Sequence, residues 1–279
     1  MTTAEDIRAA LDAMPRLGDS VATIKISNRR KTVGMSVQPG ENGITLHVPA
    51  ASHPAEIVAV LTKNLHRIGS MLLKARQRAP EDSTKALANG TGFLWLGQPN
   101  RLRLVDNPPA AVRHVDDYGA ESEPGTWCGR WLEFDRAALR HGAKPLIDWY
   151  IRQGDIWLSR QAQPLWLRMT GGRRPMPAVR AAAIGRTRWG VHTAQPDPAD
   201  DTIRIAWQTF QMRSAIVQHV LTHELVHATR PDGRLHGPEF WRTFERAETG
   251  ALQTSKELDR VGRTVWMGDI HTPALPPAW

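Results

Sequence analysis

From Val21 the chain alternates apolar with polar residues. "VATIKIS" and "TVGMSVQ" both keep the two-residue period of a half-buried strand, with the basic "NRRK" as the turn between them. "PGENG" is a second turn, and "ITLHVP" a third strand. A short helix near Ala4–Met14 precedes this group. At Pro54 the period changes: Ile57, Val60, Leu61, Leu65, Ile68 and Leu72 recur at spacings of three and four, predicting a helix to about Arg78. "FLWLG" and "RLRLV" then read as a hairpin turning at "QPN". "AVRHVDD" and "GRWLEFD" form a further strand pair across "GAESEPG".

The texture shifts near Pro145. "LIDWYIRQGDIWLSRQAQPLWLRM" has helical spacing with an expected break at Pro164. "AVRAAAIGRTRWGVH" predicts a strand, a turn at Gly185 and a second short strand. "QPDPADD" is a surface loop and "TIRIAW" the strand after it. Ser214 is the expected N-cap of a helix from Ala215. That helix must end by Arg230, because Pro231 and "PDG" follow, and Pro238 opens the next. The pattern predicts an α+β protein: a β-rich region with one long helix over 1–140, then a second region over 141–279, with the two halves not expected to be independent.

A chain of 279 residues, 41% hydrophobic and 23% charged, can bury a sizeable core. Its single cysteine, Cys128, rules out an intramolecular disulfide and a thiolate metal cage. The N-terminal stretch lacks the apolar segment of a secretory signal, and no run approaches the roughly 20 apolar residues of a membrane span. A cytoplasmic protein without a membrane partner is the expectation. The net charge of +8 favours acidic partners, nucleic acid among them. The tryptophans sit beside aliphatic residues ("FLWLG", "DIWLS", "PLWLR"), which points to core packing.

The chemistry concentrates in "LTHELVHATRPDGRLHGPEFW", Leu221 to Trp241. Residues four apart share a helix face, so His223 and His227 can aim two nitrogens at one ion, as in the H-E-x-x-H metalloprotease pattern. Glu224, adjacent to His223, is placed to reach a water rather than the metal. A catalytic zinc takes three protein ligands and keeps one position open. His236, returned by the turn at Pro231–Gly233, is the natural third. The alternative is an exposed helix of solvated histidines, but Leu221, Leu225 and Val226 give this helix an apolar side. His219 drifts off the ligand face and is expected to be packed.

With these residues in view, the chain resembles the YgjP-like metallopeptidases, relatives of the SprT-like zincins. "RRKTVGMSV", "FLWLG", "RLRLV", "LIDWY", "TRWG" and "HELVH…HGPEFW" occur in that family's order. The resemblance implies a minimal zincin core behind a β-rich N-terminal part, zinc held by His223, His227 and His236, and Glu224 as general base. Two features depart from the family pattern. Val191 and His192 replace a usual serine-cysteine pair, and the longer gap before His236 leans toward the SprT-like form.

Arg188 and His192, flanking "RWG", are candidates to stabilise an oxyanion, and Glu239 and Glu245 to orient ligand histidines or replace one. These readings predict a zinc peptidase acting on proteins or peptides. Two alternatives stand beside it: a DNA-associated protease or basic nucleic-acid-associated protein with a non-catalytic zinc site, and a scaffold with a vestigial site.

Overall fold

Thr3 opens the first helix with a capping box. Its hydroxyl accepts from the Asp6 N–H at 3.1 Å while the Asp6 carboxylate accepts from the Thr3 N–H at 2.8 Å. The computed structural model describes residues 3–14, 20–37, 43–77, 84–123, 130–229 and 236–271. The chain divides into two compact units, Met1–Glu81 and Asp82–Trp279. The change of texture near 140–145 therefore lies inside the second unit. The helix that begins there shares one hydrophobic core with strands from either side of that point. Cys128 and the Pro231–Gly233 turn lie outside the described residues.

The first unit holds α1 (Ala4–Asp12), β1 (Val21–Ser27), β2 (Gly34–Ser36), β3 (Ile44–Pro49), α2 (Pro54–Lys63) and α3 (Leu65–Gln77). All three expected strands form, but β1 and β2 are not neighbours. β3 lies between them, parallel to β1 and antiparallel to β2. Ile24, Leu46 and Met35 then share the face that packs on Ile7, Leu11, Ile57 and Leu61. The helix expected from Pro54 to Arg78 is two helices. At Asn64 the side chain bonds the Val60 carbonyl at 2.7 Å, the local competition through which asparagine disfavours helix interiors.

Among the described residues, the second unit contains three sheets. β4 (Thr84–Ala86) pairs in parallel with β12 (Asp269–His271). β5 (Gly92–Trp95), β6 (Gln98–Val105), β7 (Val112–Val115) and β8 (Trp131–Asp135) form a sheet in the order β5-β6-β8-β7. β9 (Ala178–Ala182), β10 (Gly190–Thr193) and β11 (Thr202–Ala206) form the third, in the order β10-β11-β9, leaving β10 as an edge. The helices are α4 (Lys144–Thr170), α5 (Ser214–Ala228), α6 (Pro238–Ala247) and α7 (Ala251–Val261).

The β5–β6 hairpin turns at Leu96–Gly97, not at "QPN", which belongs to β6. Both turn residues have positive φ, 49° and 80°, as a two-residue hairpin requires. The tip docks on the entrance to α5. The Leu96 N–H donates to the Phe210 carbonyl at 2.7 Å, and a Cβ on Gly97 would lie 2.8 Å from the Arg213 Cα. α4 runs unbroken through Pro164, whose side is exposed, so water can serve the carbonyl that loses its helical partner. Its Gly154 lets Phe210 and Ala181 approach the helix backbone, and Asp155 accepts from the Ala181 N–H at 2.7 Å. Trp95, Trp149, Trp157, Trp166, Trp207 and Trp266 are all buried, as their aliphatic neighbours predict. α5 starts at Ser214 itself, with Arg213 at the cap position and no side-chain cap bond.

Candidate metal centre

α5 places His223 and His227 one turn apart on its half-buried side, with their Nε2 atoms 3.1 Å apart. His236 stands just ahead of α6 with φ 56°, a left-handed conformation that histidine tolerates better than most residues. Its Nε2 lies 3.1 Å from that of His223 and 3.0 Å from that of His227. The three nitrogens form a nearly equilateral triangle.

That triangle cannot be satisfied by its own members. Each Nε2 is either a donor or an acceptor, so at least one of the three contacts must join like partners. A cation on the axis of the triangle resolves all three at once. Zinc–nitrogen bonds of 2.0–2.1 Å in a tetrahedron set nitrogens about 3.3 Å apart, close to the spacing seen. The donor set therefore fits a divalent ion of that size, and among the described residues only these three side chains make up the cluster. Burial, then the neighbouring imidazoles, push His223 down to about 3 and His227 down to about 4, keeping both in the neutral form that ligates.

Phe240 was not singled out by sequence, yet it sits amid the three rings. Its centroid lies 5.0 Å from His223, 4.6 Å from His227 and 4.7 Å from His236, and it is 1% exposed. The readable signal was its place at the third position of a helix opened by Pro238, on the face turned to α5. Phe240→Ala removes the common backing of all three imidazoles. We expect a loss of about 3–5 kcal/mol of stability in urea unfolding, together with weaker metal binding. Unchanged metal affinity in that variant would show that the rings are aligned by something else.

Glu224 is 7% exposed and packs against β10. Burial pushes its carboxyl up to about 7, while the His192 backbone N–H, which donates to it, and the charge of Arg188 pull the other way. His219 is packed, as expected, and bonded on both nitrogens: Nδ1 to Glu248 at 2.7 Å and Nε2 to Ser255 at 3.0 Å.

The other expected helpers lie differently. The His192 ring points to buried Asp201, with Nε2 3.0 Å from its carboxylate, so its backbone rather than its side chain serves Glu224. Glu239 pairs with Arg242 at 2.6 Å, and Glu245 accepts from the N–H groups of Gly250 and Ala251 at the start of α7. Neither bonds a histidine of the triangle. Glu248, unnoticed in the sequence, is the acid that reaches a histidine of α5. Arg188 is exposed, and its charge acts on Glu224.

The model of one protein family, described as the YgjP-like metallopeptidase domain, matches residues 31–261. That span contains all three histidines, Glu224 and the β9–β11 sheet. Comparisons with curated proteins and with solved structures give no match.

Proposed function

The chain belongs to the YgjP-like metallopeptidase family, and from that premise we propose that it is a zinc-dependent peptidase acting on protein or peptide substrates. The observation that carries this reading is the Nε2 triangle of His223, His227 and His236 beside a buried carboxylate. His223, His227 and His236 would hold the ion. When bound, zinc activates water as a nucleophile and polarises a carbonyl.

The protein's own groups do the rest. Glu224 takes a proton from the attacking water and returns it to the leaving amine. Its burial favours that role, because a base works best when its affinity for the proton is tuned toward neutral pH. The His192 backbone N–H favours the ionised form of the carboxylate. Arg188, with its exposed guanidinium, is the better placed of the two expected helpers to meet negative charge developing on the substrate.

The test is digestion of a denatured proteome by the purified protein, with new termini read by mass spectrometry. Cleavage should vanish with a chelator and return with about one equivalent of zinc per chain. Cleavage that persists in the chelated protein would remove zinc from the account.

A second reading concerns nucleic acid and rests on Lys25, Arg29, Arg30 and Lys31. All four are exposed, and none has an ion-pair partner among the described residues. Arg30 and Lys25 also act on His47, whose pKa is lowered first by burial and then by these two charges. A DNA duplex bound through them should be released steeply by added salt. No binding at low salt would end that reading.

A further inference from the structure

Gly190 stands in β10 where a side chain would collide with one residue above all. A Cβ built there would lie 2.6 Å from both Cγ and Oε1 of Glu224 and 2.9 Å from its Cδ. The three nearest atoms all belong to that one side chain. The glycine is not in a left-handed conformation, so backbone strain gives no reason for it. A glycine inside a strand weakens the strand, and marks a place where another group must come close. Here that group is the Glu224 carboxylate.

The strand cannot easily give way. Gly190 is paired with Ile205 and His192 with Ile203, both fully buried. At one end the Trp189 carbonyl accepts from the Ala206 N–H at 2.8 Å and from the Thr209 hydroxyl at 3.2 Å. The Trp189 ring lies tight against Gly262, where a Cβ would fall 2.5 Å from its Cζ2. At the other end, buried Asp201 takes the His192 ring at 3.0 Å and the Gln195 N–H at 2.7 Å. Between these anchors, the bare Gly190 and the His192 N–H form a slot and a donor for one carboxylate.

We propose that Gly190 is a positioning residue: its missing side chain makes the slot that holds Glu224 against the edge strand. The kinetic consequence rests on the reading of Glu224 as the base. The contact itself does not.

Two measurements test it separately. First, Gly190→Ala is made in the wild-type and Glu224→Ala backgrounds, and thermal unfolding of the zinc-loaded proteins is compared. Crowding against Glu224 should lower Tm by roughly 3–8 °C in the wild-type background and by about 1 °C or less where the glutamate is gone. Equal losses in both backgrounds would overturn the slot, whatever the protein's activity. Second, on the peptide cut fastest in the proteome digest, Gly190→Ala should lose about 100-fold in kcat with KM and zinc content little changed. A variant with wild-type kcat would overturn the positioning role. Should Glu224→Gln also stay active, the reading of Glu224 as the base fails, while the unfolding comparison still decides the contact.

Discussion

Glu224→Gln should fold, bind one zinc per chain and cleave substrate about 10²–10⁴-fold more slowly than the wild type. The substitution keeps the volume of the side chain and an oxygen for the His192 N–H, so the slot beside Gly190 stays filled. What it removes is the capacity to take a proton. Glu224 lies outside the Nε2 triangle, so metal content should not change. Single-turnover cleavage together with metal analysis checks both halves. Wild-type turnover in the variant would dismiss Glu224 as the base, and loss of zinc would place it among the ligands.

His236→Ala should have the opposite signature. His236 is exposed and, among the described residues, makes its side-chain contacts with His223, His227 and Phe240, so its loss should leave the core of the second unit intact. Two imidazoles on one helix remain, and a four-coordinate ion keeps only half its ligands. A fall well beyond the 10–100-fold typical of losing a supporting group around a metal is expected in zinc affinity, with little change in Tm of the metal-free protein. Competition with a chromogenic chelator measures the first and calorimetry the second. Stoichiometric zinc in His236→Ala, still with three protein ligands, would move the third ligand elsewhere.

Local signals in the sequence were legible and long-range ones were not. Alternation marked β1 to the residue, and the turn "PGENG" marked the start of β3, although β3 is buried along nearly its whole length rather than on one face. The spacing of His223 and His227 likewise announced a shared helix face. The order β1-β3-β2 was hidden, since no local pattern says which strand enters the middle of a sheet. Asn64 broke a helix that the apolar spacing carried straight through. Pro164 did the reverse: its exposed setting, invisible in sequence, removed the expected break.

At the centre itself, His236 was legible because a two-histidine helix leaves a ligand to be found. Phe240 was not, because a phenylalanine after proline reads as ordinary packing until three rings are seen around it. Glu245 drew attention in the sequence and Glu248 did not, for a similar reason. Three residues apart, they are equivalent in sequence, and only the fold turns one to a helix start and the other to His219.

The most direct test of the account is metal analysis with zinc K-edge X-ray absorption on the wild-type protein. One zinc per chain is predicted, with three imidazole nitrogens at about 2.0–2.1 Å and a fourth, exchangeable light-atom ligand not supplied by the protein. A zinc closed by four protein ligands, or a chain that takes up no zinc, would contradict it.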